Sequence, residues 1–125
     1  MSRVQLSINV SDFDAAVAFY SRLFGAQPAK LQPGYANFAL DDPPLKLVLN
    51  SPGNGPGGTI NHLGVAVAST GEDEQTETRL EGEGLATEPE LGATCCYARQ
   101  DKVWVRDPDG VAWEYYTVLE HIDTP

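Results

Sequence analysis

Five side chains in this sequence can do chemistry beyond packing. They are the amide of Gln5, the imidazole of His62, the carboxylate of Glu114 and the adjacent thiols of Cys95 and Cys96. Amide oxygen, imidazole and carboxylate together make an N/O donor set suited to Fe(II), Mn(II), Ni(II) or Zn(II), and not a soft thiolate site. Three protein ligands would leave positions open for water, substrate or oxygen. The thiols pose a separate question, because the chain has only two cysteines and they are neighbours. A disulfide between them would close a tight, strained ring and staple nothing distant.

Each residue has a plain alternative. A glutamine on the polar face of a strand is ordinarily solvated. A histidine opening a strand is ordinarily structural, and a glutamate on a terminal strand is commonly exposed. Free cysteines are often small core hydrophobes. An internal repeat raises the joint reading above these. Shifting the sequence by 57 positions lays Gln5 on His62. The same shift lays Ser21-Arg22-Leu23-Phe24-Gly25 on Thr78-Arg79-Leu80-Glu81-Gly82. Gln5 and His62 then occupy equivalent strands and can face one shared cavity. In Trp113-Glu114-Tyr115 the carboxylate alternates with aromatics, so it faces the other side of its strand from them. If that side is the cavity, a buried carboxylate needs a partner, and a metal ion supplies one. The set approaches the facial triad of non-haem iron oxygenases, with glutamine replacing one histidine. Lys46 matches Glu114 in the first half and would not bind metal at neutral pH, which favours three ligands. His121, the other histidine, is given no role.

The elements that must position these residues follow from periodicity. Val4 to Val10 alternates apolar and polar residues, as a half-buried strand does. Ser11-Asp12-Phe13-Asp14 reads as a helix start with Ser11 as cap. Ala16, Phe19, Tyr20 and Leu23 recur at helical spacing, and Gly25 is the stop. Tyr35 to Leu40 and Leu45 to Leu49 read as strands around an Asp41 to Pro44 turn. Ser51 to Gly58, rich in Gly and Pro, reads as a linker. Asn61 to Val67 is again strand-like, and an acidic helix follows from Glu72 to Gly82. Further strands run from Tyr97 through Lys102 to Arg106 and from Val111 to Leu119. Asp107-Pro108-Asp109-Gly110 is the turn between them.

The expected fold is α+β: two βαβββ modules forming a curved mixed sheet around a metal-binding cavity. One domain covers 1–125, with module one at about 1–50, the linker at about 51–58 and module two at about 59–120. The net charge of −10 repels phosphate backbones and anionic membranes, so neither nucleic acid nor a membrane is an expected partner. No secretory signal and no membrane-spanning run is visible, which makes the cytoplasm the expected location. Thiols stay reduced there.

Several motifs resemble a known family. The two-module pattern, His62 opening the second module and DPDGVAWEYY near the end resemble the vicinal oxygen chelate superfamily, which includes glyoxalase I and extradiol dioxygenases. More narrowly, SRVQLSINV, PGYANFAL, PPLKLVLN, NHLGV and TCCYARQDKVWV resemble the carbon–arsenic lyases, also called cadmium-induced proteins. The resemblance covers nearly the whole chain. It implies an Fe(II)- and dioxygen-dependent enzyme that cleaves the carbon–arsenic bond of trivalent organoarsenicals such as methylarsenite and releases arsenite. Gln5, His62 and Glu114 would be the metal ligands, with Ni, Co, Zn or Mn as other occupants. Cys95 and Cys96 would hold the arsenic, and a homodimer is compatible with the family. The rival readings are a non-catalytic arsenite- or cadmium-binding resistance protein and another glyoxalase-like metalloenzyme.

The thiol chemistry fits that implication. A monosubstituted trivalent arsenical has two exchangeable positions and one carbon bond, so two thiolates can hold it while the carbon–arsenic bond stays exposed. Adjacent side chains of a regular strand point to opposite faces. Cys95 and Cys96 are therefore expected in a loop or irregular segment, with Glu90 to Thr94 as a mobile loop ahead of them. Lys102 and Arg99 are cations near enough to lower a thiol pKa. Arg99 reads better as a solvated charge, whereas Lys102 joins Tyr97 as a candidate substrate-binding residue. Tyr115 and Tyr116 fit either pocket lining or packing.

Overall fold

β1 (Arg3–Asn9) alternates as its sequence dictates, but its polar residues are the deeply buried ones. Gln5, Ser7 and Asn9 are 4%, 0% and 1% exposed in the computed structural model, which describes residues 2–123 and 125. Buried polar groups need hydrogen-bond partners, and this row has them. Asn50 Nδ2 donates to Ser7 Oγ at 2.8 Å, and Asn9 bonds to Asn54 and Thr59. The apolar residues Leu6, Ile8 and Val10 pack instead against a cluster of Ala36, Phe38, Leu40, Leu47 and Leu49.

The chain divides into two units. One is Val4–Leu63; the other holds Gly64–Pro125 with the residues before Val4. The first contains β1, α1 (Phe13–Phe24), β2 (Lys30–Gln32), β3 (Tyr35–Leu40), β4 (Leu45–Asn50) and the start of β5 (Ile60–Ala66). Its strands lie in the order β2-β3-β4-β1, with β5 beside β1. β1 pairs with β4 in parallel, whereas β2, β3 and β4 pair antiparallel, so the sheet is mixed.

α1 starts on Asp12, not Ser11. Asp12 Oδ1 accepts from Ala15 N at 3.1 Å, satisfying one of the free N–H groups of the first turn. Its inner stripe is Phe13, Ala16, Val17, Tyr20 and Phe24. The stripe is rotated from the one expected, for Phe19 and Leu23 are 56% and 58% exposed. The helix ends on Gly25 at φ 61, where a Cβ would be strained.

The second unit contains the end of β5, α2 (Thr70–Gly82), β6 (Glu88–Cys95), β7 (Ala98–Arg106) and β8 (Ala112–His121). Its strand order is β5-β8-β7-β6. Each half of the element order thus reads strand, helix, three strands, an α+β pattern in duplicate. Glu90 to Thr94, expected as a loop, lies inside β6. It pairs with β7 across a register shift between Glu90 and Ala93. Asp101 anchors the shifted backbone, its Oδ1 accepting from Gly92 N at 2.7 Å. Among the described residues no helix is long and apolar enough to cross a membrane.

α2 buries only Asp73 and Leu80. Neither carboxylate oxygen of Asp73 has a hydrogen-bond partner. Burial, then the charges of Asp101, Glu114, Glu72 and Glu77, push its pKa from 3.8 up to about 7. A folded-state pKa above the unfolded one means that stability from this group is full below pH 3.8 and is lost as pH rises to about 7. Asp73→Asn removes the charge at every pH. Its stabilising effect in thermal melts is therefore expected to be larger at pH 8 than at pH 5.

Candidate functional site

The two units carry different chemistry. In Val4–Leu63 the structure brings Gln5 and His62 together, with Gln5 Nε2 3.1 Å from His62 Nε2. They sit on neighbouring strands β1 and β5 at equivalent positions of the repeat. The other ring nitrogen, Nδ1, lies 2.8 Å from Asn61 Oδ1. An imidazole and an amide side by side, the amide buried, are donors a divalent cation accepts. To ligate through its oxygen, the amide must present Oε1 where Nε2 now lies. Lys46 is the register partner of Gln5 on β4, which adds a basic residue, not an acidic ligand, on this side of the repeat.

In the second unit half-buried Cys95 and the buried Lys102 and Glu114 form a chain of contacts. Lys102 Nζ is 3.2 Å from Cys95 Sγ and 3.3 Å from Glu114 Oε2. Lys102 and Glu114 are 2% and 3% exposed. The strand register explains how they meet. Lys102 opposes Tyr116 and Trp104 opposes Glu114, so Lys102 and Glu114 are diagonal neighbours on one face of the β7–β8 ladder. Lys102 Nζ also stands 5.3 Å from the centre of the Trp104 ring, a cation–π contact. Lys102, a candidate substrate-binding residue from sequence, is buried beside a thiol and a carboxylate. Arg99 instead pairs with Glu120 at 3.1 Å on the surface.

The thiols lie at the end of a hairpin. Cys95 is the last residue of β6 and pairs with Ala98, the first of β7. Cys96 and Tyr97 make the two-residue turn between them, at φ 55 and φ 61. Two successive left-handed residues are what a type I′ hairpin turn requires. Neither is glycine, so each carries strain of order 1–2 kcal/mol. Cys95, expected in a loop, closes β6 instead, and the turn breaks strand alternation only after it, at Cys96. Tyr97 is buried at 8% exposure, and its carbonyl accepts from Ile122 N at 3.0 Å. Tyr116 shares the face of Glu114 by alternation, whereas Tyr115 borders a groove with α2 residues Glu72, Gln75, Thr76 and Arg79.

The hydrogen bond from Cys96 pulls the Cys95 thiol down to about 6, and the ammonium of Lys102 adds to this against the opposing pull of burial. The same hydrogen bond, with burial, pushes Cys96 up. Burial pulls Lys102 down, but Glu114 and Cys95 outweigh it and hold the ammonium above its ordinary value. One thiolate and one thiol therefore stand side by side at neutral pH. Alkylation of Cys95 by iodoacetamide is expected to titrate with a midpoint of about 6. Lys102→Met is expected to move that midpoint up. Removing the cation beside a buried carboxylate also costs about 3–5 kcal/mol in a denaturant melt.

Residues that bear on these clusters but were not singled out from sequence include Asn9, Asn61, Gln100 and Asp73. For the asparagines a signal existed, in the polar row Gln5-Ser7-Asn9 and in the Asn61-His62 pair. For Asp73, one acid in an acidic helix, there was none.

Known proteins resemble this chain over nearly its whole length. The family model described as Glyoxalase/Bleomycin resistance protein/Dioxygenase superfamily matches residues 2–115. The chain is 60% identical over 125 residues to the cadmium-induced protein CadI of Mycobacterium tuberculosis, covering 99% of this chain and 81% of that protein. It is 50% identical over 124 residues to the trivalent organoarsenical cleaving enzyme of Thermomonospora curvata, covering 99% and 82%. Among solved structures, homoprotocatechuate 2,3-dioxygenase from Arthrobacter globiformis superposes with a TM-score of 0.67 at 22% identity, covering 95% of this chain and 36% of that one. The chain belongs to the glyoxalase/bleomycin resistance protein/dioxygenase superfamily and, within it, to the group of CadI and the trivalent organoarsenical cleaving enzymes.

Proposed function

We propose that this protein is an Fe(II)- and dioxygen-dependent lyase that cleaves the carbon–arsenic bond of trivalent organoarsenicals such as methylarsenite and releases arsenite. The observation that carries the reading is the adjacent thiol pair Cys95–Cys96 with Lys102 Nζ 3.2 Å from Cys95 Sγ. A relative that is 50% identical is named for organoarsenical cleavage, and the family description includes dioxygenases.

Binding of methylarsenite follows from the pair. Cys95 attacks arsenic as a thiolate, forming one sulfur–arsenic bond as an arsenic–oxygen bond breaks. Lys102 Nζ, 3.2 Å from Cys95 Sγ, holds a proton for the departing hydroxide. Once arsenic has taken the charge of Cys95, the largest cause that raised Cys96 is gone and burial is the main one still opposing its ionisation. Cys96 then gives up its proton and forms the second sulfur–arsenic bond, and a second water leaves. The methyl–arsenic bond stays exposed. Two linked thiols hold arsenic about 10²–10⁴-fold more tightly than one.

The proposed metal ligands are Gln5, His62 and Glu114, an amide oxygen, an imidazole and a carboxylate that suit Fe(II) and leave positions open. Of these, His62 stands beside Gln5, and Glu114 is a buried carboxylate whose cation partner, Lys102, also touches Cys95. When bound, Fe(II) supplies the dioxygen chemistry by which the carbon–arsenic bond is broken. The protein's part is to hold arsenic by sulfur. Cytoplasmic location, where thiols stay reduced, belongs to the same reading.

The rival is sequestration, in which the same thiols bind arsenite or cadmium without turnover. Incubating the Fe(II)-loaded protein with methylarsenite in air separates the two. The lyase releases inorganic arsenite, and Cys95→Ala or His62→Ala does not. Tight retention of methylarsenite by wild type, with no arsenite formed, would favour sequestration.

A further inference from the structure

The Gly- and Pro-rich stretch 51–58 folds back on β1, and its contacts fix the direction of a chain of hydrogen bonds that ends at His62. The chain can be followed from groups whose donor or acceptor role is certain. Asn54 N is a backbone donor, and it lies 3.2 Å from Asn9 Oδ1, so that atom accepts. Thr59 Oγ1 gives its proton to the Pro56 carbonyl, so toward Asn9 Nδ2, at 2.9 Å, the hydroxyl accepts. Both anchors orient the Asn9 amide the same way. Asn61 Nδ2, 3.0 Å from Asn9 Oδ1, must then donate. Asn61 therefore turns its Oδ1 to His62 Nδ1 at 2.8 Å. An oxygen with no proton requires the ring nitrogen to carry one. Nδ1 is the protonated nitrogen, and Nε2 keeps the lone pair that faces Gln5 Nε2 at 3.1 Å.

Asn9 is placed to act as a rigid anchor. It is 1% exposed, and the loop closes on it so tightly that a Cβ at Gly53 would fall 1.9 Å from Asn9 Oδ1. The loop's glycine content is thus a packing requirement at this residue.

We infer that Asn61, locked by Asn9 and the 51–58 loop, is a positioning residue that holds His62 in its Nδ1–H form and so reserves Nε2 for a metal. The inference rests on the proposed metal site for its purpose but not for its geometry. Outer partners of this kind commonly contribute 10–100-fold to metal affinity. Without an acceptor at Nδ1, only the Gln5 amide at Nε2 still favours that tautomer, and it yields to the Nε2–H form by turning its Oε1 to the ring.

The test uses metal-free protein labelled with ¹⁵N-histidine, in a His121→Gln background so that His62 alone is observed. Long-range ¹H–¹⁵N correlation spectra at pH 8 separate a protonated ring nitrogen from an unprotonated one. Wild-type His62 is expected to show a protonated Nδ1 and an unprotonated Nε2. Asn61→Ala, checked for folding by circular dichroism, is expected to move most of the population to the Nε2–H form. It should also weaken Fe(II) and Co(II), titrated under nitrogen, by about 10–100-fold. Asn61→Asp, which retains an acceptor oxygen, is expected to keep the wild-type tautomer. An Nε2–H ring in wild type would overturn the inference without recourse to any variant. So would a folded Asn61→Ala protein with the wild-type spectrum. A wild-type chain that shows the Nδ1–H form yet binds neither Fe(II) nor Co(II) would support the tautomer assignment and sink the metal reading instead.

Discussion

Replacing Cys96 with alanine is expected to make Cys95 less reactive, not more. The hydrogen bond from Cys96 is the largest cause that lowers Cys95 to about 6. Without it the thiol moves back toward 9.0, its ordinary value. At pH 7 the thiolate fraction would then fall from roughly nine tenths toward about one per cent. Iodoacetamide alkylation should slow in proportion. Affinity for methylarsenite should fall further, by about 10²–10⁴-fold, because the chelate is lost as well. Lys102 remains in the variant, so part of the depression persists and the alkylation midpoint should lie between those of wild type and free cysteine. An unchanged midpoint would mean that Lys102 alone sets the thiolate and that Cys96 is a bystander.

His62→Ala has the second large expected effect. Removing the imidazole takes away the sole nitrogen ligand of the proposed set. Fe(II) retention after gel filtration should be lost, and arsenite release should fall to background. Stability should change far less. His62 is half-buried, and its loss deprives the Gln5 amide of one acceptor at a cost of about 1–3 kcal/mol. Methylarsenite binding to the thiols should survive, since Cys95, Cys96 and Lys102 form their contacts within the other unit. Loss of binding and turnover together would instead indicate a general collapse. A variant that keeps both iron and turnover would remove His62 from the metal site.

The repeat was legible because its strongest signals are local. Moving β1, Arg3–Asn9, by 57 residues gives the bounds of β5, Ile60–Ala66. Alternation and helix caps set those elements, and burial reinforced them. The reading failed where tertiary pairing overrides local pattern. β6 contains Glu88 to Cys95 and is largely exposed, with a register shift and Gly92 at φ 65. Such an edge strand shows no alternation because neither face is committed to a core. The three-residue β2 is too short to carry a period. The stripe of α1 slipped because Phe19 and Leu23 are apolar without being inward, and hydrophobicity alone does not say which face is covered.

The site was legible as residue types and less so as contacts. Gln5 and His62 were paired by the repeat, and they do meet. The left-handed turn at Cys96 and Tyr97 was implied only as an irregularity, since neither residue is a usual turn former. The ion pair of Lys102 with Glu114 depends on β7–β8 register, which a sequence does not display. The asparagine chain from the 51–58 loop to His62 depends on a loop closing over β1, and a run of Gly and Pro reads equally well as a tether.

One measurement tests the central claim most directly: arsenite released from methylarsenite by the Fe(II)-loaded wild-type protein, followed side by side in air and under nitrogen. Release in air, with methylarsenite bound but intact under nitrogen, is the predicted result. Equal release under both atmospheres, or binding with no arsenite formed in air, would contradict the account.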